Sequence, residues 1–302
     1  MTILIGGCGE STPDDYDYAQ QTIVITGLLD EDITVSVEEL MEMESITEKA
    51  EATRFNGEKV KINATGPTLN TLLKKYEKSQ SDFATIRFTA KDQYSIAVPK
   101  EILENHEIIL SYAESGRPLS EENQPIHIIV PGERAMYWVR MLKQIDFETD
   151  SASIISNKVV FLDNAIKTLP SVEYDDNSEL EKAIKTTDMV EQYTNCTDVE
   201  KVYLVASDGL KKNETAENFL SAYIKYKGEN SLKFLAPHFP QGMHINEILS
   251  INYGDTTFYS LQEGLKNITP QALNEYIGIS FTDVLKEIHF ANSKEYVFTS
   301  LE

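Results

Sequence analysis

The sequence predicts a mixed α+β fold, and three observations carry that prediction. Short runs that alternate apolar and polar residues mark strands. Runs with apolar residues three and four apart mark helices. The two kinds follow one another without the strict strand–helix–strand alternation of a doubly wound sheet. The chain has 302 residues, 41% of them hydrophobic and 9% aromatic, enough for a packed core. At about 150 residues per domain, that length suits one large domain or two ordinary ones.

The elements follow in order. Residues 9 to 21 are polar and read as a tether. Thr22-Ile23-Val24-Ile25-Thr26 alternates and ends at Gly27, a strand. Ser36 caps a helix running to Met43, with Glu38 and Glu39 at the positive end of its dipole. Lys49 to Asn63 alternates around Asn56-Gly57, a hairpin signal. Thr68 to Tyr76 places Leu69, Leu72, Leu73 and Tyr76 on one helical face. Thr85 to Ala90 is a strand. Leu103 to Ala113 is a helix or a mixed segment, and Ile126 to Val130 is an apolar strand. Tyr137 to Phe147, with Trp138, closes the unit as a strand-like stretch.

The second half repeats parts of the first. Gly66, Leu69, Leu72 and Leu73 fall without a gap on Gly278, Phe281, Val284 and Leu285, and Ile86 to Thr89 falls on a predicted strand at Tyr296 to Thr299. Val202 to Gly209 matches Ile86 to Gln93, and Leu220 to Tyr223 resembles Leu110 to Ala113. These echoes predict a duplication with a diverged, incomplete second copy. The predicted organisation is a tether over 1–20, one domain over 21–150 and its diverged copy over 151–302.

Charge and cysteine usage exclude several classes. A formal charge of −22 repels nucleic acid and anionic lipid. Two cysteines, Cys8 and Cys196, give no disulfide framework. No apolar run reaches the ~20 residues needed to span a bilayer. Ile5-Gly6-Gly7-Cys8 resembles the end of a bacterial lipoprotein signal, so Cys8 is the expected lipidation site. No basic residue precedes it and the apolar stretch is short, so Met1 reads as an internal methionine with the signal upstream. The expected location is extracytoplasmic, with membrane contact only through the lipid.

Five motifs stand in order over the first half: Gly66-Pro67-Thr68-Leu69-Asn70-Thr71-Leu72-Leu73, Asp92-Gln93-Tyr94, Gly116-Arg117-Pro118-Leu119, Ile128-Ile129-Val130-Pro131-Gly132, and Tyr137-Trp138-Val139-Arg140 leading to Lys143. Over residues 25 to 148 this series resembles the molybdopterin-binding domain of sulfite-oxidase-type enzymes. The resemblance implies a sulfite-oxidase-like α+β fold and an oxidoreductase that moves an oxygen atom or electrons at a molybdenum centre. It also implies that Arg134, Arg140 and Lys143 face the cofactor and hold the pterin phosphate.

The chain departs from that pattern at the metal. The family places a ligating Cys in the hairpin before the Gly-x-x-Leu helix, and Ala50 to Gly57 contains none. Thr53 and Arg54 cannot supply the soft, charged thiolate that molybdenum takes. Asp92-Gln93-Tyr94 replaces the family's Asp-Gly-Tyr, and His127 replaces an Arg before Val130-Pro131-Gly132. The expectation is therefore a chain without molybdenum, with no metal ligand and no catalytic residue assigned. Molybdopterin is the one cofactor that the resemblance implies.

Other residues read as structural. His238, His244 and Glu247 lack a compact ligand spacing. Asp92 and Asp208 at strand ends read as turn caps. Cys196 reads as a small buried hydrophobe. Asn63, Asn195, Asn213 and Asn267 begin glycosylation sequons that read as chance. Two functions stand open: a molybdopterin-dependent oxidoreductase that holds its cofactor without a Cys ligand or with a ligand from elsewhere, and a metal-free, non-catalytic cell-surface binding module on the same fold, with a small molecule or a surface protein as partner. A structural subunit beside a redox protein is a third.

Overall fold

The structure is a computed structural model that describes residues 17–54, 56–149, 156–176, 179–228, 231–236, 240–273, 276–288, 290–291 and 295–299. The chain divides into two units, Met1–Ser151 and Ala152–Glu302. Cys8, His238 and the last three residues lie outside the described residues. Among the described residues no helix is long and apolar enough to cross a membrane.

Unit 1 starts with β1 (Thr22–Thr26) and β2 (Ile33–Ser36), then helix α1 (Val37–Met41). Ser36 caps α1 reciprocally with Glu39, each side chain accepting the other's backbone N–H. The hairpin β3 (Ile46–Thr53) and β4 (Lys59–Gly66) runs antiparallel from Thr53↔Lys59 to Ile46↔Gly66. Helix α2 (Leu69–Leu73) follows, capped by Thr68. Leu69, Leu72 and Leu73 are fully buried, each contributing roughly 1.5–3 kcal/mol of burial. Then come β5 (Thr85–Ala90), β6 (Ser95–Pro99), α3 (Lys100–Asn105), β7 (Ile109–Ser111), β8 (Ala113–Glu114), β9 (Arg117–Pro118), β10 (His127–Ile129) and β11 (Leu142–Glu148).

The main sheet of unit 1 has the order β2-β1-β11-β5-β6. β1 runs parallel to β11 and antiparallel to β2. A smaller sheet, β3-β4-β8-β9, and a two-stranded ladder, β10-β7, complete the unit. The core of Ile25, Leu40, Leu69, Phe88, Leu110, Ile128 and Ile145 is shared by main sheet, helices and ladder.

The strand expected over Tyr137 to Phe147 is broken. Ala135–Tyr137 forms a 3-10 turn, Met141 has φ 50°, and β11 begins only at Leu142. Before that break Val139 bonds both ways to Ile128, and the Trp138 indole donates to Val130 O at 2.9 Å. The chain serves the ladder first and the main sheet second. β11 is a central strand between β1 and β5, so Lys143 does not lie on a sheet edge; it sits at the irregularity between Leu142 and Gln144.

Unit 2 begins with β12 (Lys158–Phe161), α4 (Leu162–Thr168), the hairpin β13 (Val172–Asp176) and β14 (Glu179–Lys185), and α5 (Thr186–Tyr193). It continues with β15 (Lys201–Ala206), β16 (Lys211–Thr215), α6 (Ala216–Leu220), β17 (Tyr223–Lys225), β18 (Lys233–Leu235), β19 (Ile248–Tyr253) and β20 (Thr256–Tyr259). Last come α7 (Leu261–Asn267), the hairpin β21 (Gln271–Leu273) and β22 (Tyr276–Gly278), and α8 (Phe281–Glu287). The main sheet has the order β12-β20-β19-β15-β16. β20 runs parallel to β12 and antiparallel to β19. The strand in second place is thus reversed relative to unit 1, while its neighbours keep the same mutual directions. Phe219 stacks on Phe234 in the core, with centroids 5.9 Å apart.

The strand expected at Tyr296 to Thr299 is absent: residues 295–299 adopt no regular structure. Strand propensity alone does not make a strand without a neighbour to receive its backbone groups.

Candidate functional site

The candidate site lies in unit 1, between the hairpin β3–β4 and the ladder β7–β10. One face of the ladder belongs to the main core, through Ile108, Leu110, Ile128 and Val130. Its other face meets the hairpin in a second small core of Ala50, Ala64, Ile109 and Ile129, with Ile62 and Trp138 packed against it. Alternation along β10 puts His127 on the same side as Ile129. Gly66, at the end of β4, allows the close approach: a Cβ there would stand 2.0 Å from Leu110 O.

His127 is buried, 2% exposed. Its ring stands edge-on to Trp138, centroids 6.0 Å apart. Nδ1–H donates to Glu114 Oε1 at 2.6 Å, while buried Nε2 meets no hydrogen-bond partner among the described residues. Burial pushes the His127 imidazole below its usual 6.5, against the opposing pull of Glu114. The bond from His127 in turn holds Glu114 below the usual carboxylate range. A neutral imidazole on an ionised carboxylate satisfies both directions.

The loop end of the hairpin, where Thr53 pairs with Lys59, is tied to the turn after β10. Gly132 N–H donates to Glu51 O at 2.8 Å, and Thr53 N–H to Glu133 O at 3.2 Å. Gly132 takes φ +84°, a conformation in which an added side chain would be strained. His106 braces the turn, with Nδ1 2.9 Å from Pro131 O and Nε2 3.0 Å from Glu133 Oε1. The hairpin positions that would have to offer a thiolate are Ala50 and Ala52, both buried, and Thr53 and Arg54, both exposed. Arg54 pairs with Glu58 at 3.0 Å. Glu51, hydrogen-bonded by Lys59 and Lys61, is held down to about 2.

The three cations expected at a pterin phosphate sit on three different pieces of backbone. Arg134 precedes the 3-10 turn and bridges to Thr53. Arg140 is exposed in the loop after Val139, and its charge acts on both His127 and Glu114. Lys143 is exposed at the start of β11. The sequence reading missed the His106–Glu133 and His127–Glu114 pairs as partners. Its one signal was His127 itself, a titratable residue inside an otherwise apolar strand.

The other sequence candidates are structural where described. Asp92 and Asp208 each accept the N–H two residues on, Tyr94 at 3.0 Å and Leu210 at 2.9 Å, closing a turn. His244 Nε2 lies 3.2 Å from Ala236 O, while Glu247 pairs with Lys266 at 3.0 Å, so the two do not share a site. Cys196, a half-buried free thiol, donates to Asp255 Oδ1 at 3.1 Å. Of the sequon asparagines, Asn213 is buried and Asn195 and Asn267 are exposed. Among the described residues no group of three or more His, Cys, Asp and Glu could hold a metal ion.

Comparison with known proteins bears on unit 1. No curated protein matches the chain. Among solved structures, the sulfane dehydrogenase SoxCD from Paracoccus pantotrophus aligns over 80% of this chain and 78% of that chain, at 10% identity and a TM-score of 0.39. Residues 10–154 match the family described as the oxidoreductase molybdopterin binding domain. That match covers just under half of the chain. Over this span the chain is similar to an oxidoreductase-type molybdopterin-binding domain, and its fold is the α+β, sulfite-oxidase-like one.

Proposed function

We propose that unit 1 keeps the fold of an oxidoreductase-type molybdopterin domain without holding molybdenum, and that the chain works outside the cytoplasm as a binding module. The observation that carries this reading is the hairpin β3–β4. Its inward positions are Ala50 and Ala52, its outward ones Thr53 and Arg54, and none offers the soft thiolate that molybdenum takes. Beneath the hairpin, Ile109, Ile129 and Trp138 fill the layer.

The same reading extends to the pterin. A phosphate tail needs converging cations and N–H groups. Arg140 and Lys143 are exposed and stand with Arg134 on three separate segments, and the Nε2 of neutral His127, without a partner among the described residues, is an acceptor rather than the donor that phosphate oxygens seek.

Ile5-Gly6-Gly7-Cys8 and the polar stretch after it support export and tethering through a lipid on Cys8. The charge of −22 disfavours nucleic acid and leaves a small molecule or a surface protein as partner. The test is pterin released from the purified chain, expressed in a host that makes molybdopterin and read by fluorescence after oxidation. The reading predicts none above the background of an unrelated protein. Pterin in proportion to protein would return the chain to the oxidoreductase reading.

A further inference from the structure

One order of elements, strand, helix, antiparallel hairpin, helix, occurs three times: β2-α1-β3-β4-α2, β12-α4-β13-β14-α5 and β20-α7-β21-β22-α8. In the first two, the second hairpin strand carries another strand on its outer side. β8 pairs antiparallel with β4 at Ala64↔Glu114 and Thr65↔Ala113. β17 pairs antiparallel with β14 from Ala183↔Lys225 to Lys185↔Tyr223.

One backbone contact recurs. Tyr112 N–H donates to Thr65 O at 3.0 Å, and Tyr226 N–H donates to Lys182 O at 3.1 Å. Thr65 and Lys182 each stand three residues before the cap of the following helix, Thr68 and Lys185. The residue in that place in the third passage is Ile277, three before Ser280. Among the described residues its strand, β22, pairs only with β21 in a two-stranded sheet, and Ile277 is 77% exposed.

We propose that the outer edge of β22 is a docking site for an extended polypeptide strand, which adds antiparallel and donates an N–H to the carbonyl of Ile277. Outward backbone groups recur at every second residue of an antiparallel strand, so the N–H of Ile277 faces the same edge. Proteins cover such edges or use them for strand addition.

The longer of the two internal precedents, β17, supplies the partner's pattern. In and around β17, Ala222 and Ile224 are buried at alternate positions, Lys225 is buried against Glu181 at 2.9 Å, and Lys227 is exposed just beyond the strand. The docking strand is likewise apolar at alternate positions and basic rather than acidic between them, as suits a chain of charge −22. Apolar surface on the following segments adds to the backbone contacts. Phe281 of α8 packs against Phe298 at 5.1 Å and Tyr296 at 5.9 Å, while Phe298 and Val297 stay 70% and 92% exposed. This proposal does not depend on the cofactor reading.

The probe is a synthetic peptide of residues 221–228 (sequence SAYIKYKG), added to the full chain. Saturable binding that slows exchange of the Ile277 amide about tenfold supports the proposal. Ile277→Pro should weaken binding about tenfold, the size of one backbone hydrogen bond. Ile277→Ala keeps the donor and should bind within about threefold of the parent. No binding, or protection at residues 183–185 with β22 unchanged, overturns it, since the latter would mean that the peptide displaces β17. Equal binding by a peptide of residues 172–176 (sequence VEYDD) would overturn the stated partner chemistry.

Discussion

Lys212 and Glu214 are buried charges in unit 2, and removing one of them should cost far more than removing both. Both stand on β16, with side chains 1% and 0% exposed and Nζ 3.1 Å from Oε2. Lys212 Nζ also donates to Met243 O at 2.8 Å, and Glu214 Oε1 accepts from Thr215 N–H at 3.0 Å and Asn218 Nδ2 at 2.8 Å. At that separation the attraction is about 5 kcal/mol for an effective dielectric near 20. Desolvation takes back several kcal/mol per ion, so the intact pair is close to neutral. A lone buried charge has no such offset, and Lys212→Ile or Glu214→Val alone should cost roughly 3–5 kcal/mol. For a unit of this size that lowers Tm by roughly 6–20 °C.

Unit 1 shows what an apolar pair does in the same place. Lys212 and Glu214 pair across to Leu204 and Val202. Ile96 and Val98 pair across to Phe88 and Ile86, all four fully buried. The double variant Lys212→Ile, Glu214→Val should therefore recover most of the loss and melt within about 5 °C of the parent. Calorimetry gives the transition of unit 2. Trp138, the chain's single tryptophan, lies in unit 1 and reports that unit separately. If the losses of the two single variants simply add in the double, the ion-pair reasoning is wrong.

Two further predictions concern unit 1. Gly66→Ala brings a Cβ to 2.0 Å from Leu110 O and 3.0 Å from Ser111 Cα, both backbone. It should cost about 1–3 kcal/mol or more in urea unfolding followed by Trp138 fluorescence, and a change below about 0.5 kcal/mol would refute the close approach. His127 is held below 6.5 and Glu114 below its usual value, so both stabilise the fold above their unfolded pKa values and lose that contribution on acidification. The advantage of the parent over His127→Asn should therefore shrink as pH falls below 6.5, and an advantage that grows on acidification would show that His127 is charged in the fold.

Much of unit 1 was legible because local and tertiary demands agree there. Thr22–Thr26 and Thr85–Ala90 alternate, and each finds a neighbour on both sides in the main sheet. Ser36 and Thr68 cap helices as their side chains suggest. Where the two demands differ, pattern misleads. Tyr137 to Phe147 is apolar enough for one strand, yet Trp138 and Val139 answer to the ladder and Leu142 to the main sheet, with Met141 at positive φ between them. Tyr296 to Thr299 has strand residues and no partner strand among the described residues.

The lack of a cysteine in the hairpin was legible, since it is a one-dimensional fact. The polar bracing of the candidate site was not, because His106–Glu133 and His127–Glu114 join residues far enough apart that only the fold pairs them.

The central claim is that the molybdopterin-domain fold of unit 1 stands without its metal. The most direct measurement is molybdenum per chain, by elemental mass spectrometry on protein from a cofactor-making host grown with molybdate. The account predicts a metal content far below one atom per chain. Molybdenum near one atom per chain would contradict it and show that the metal is held without a hairpin thiolate.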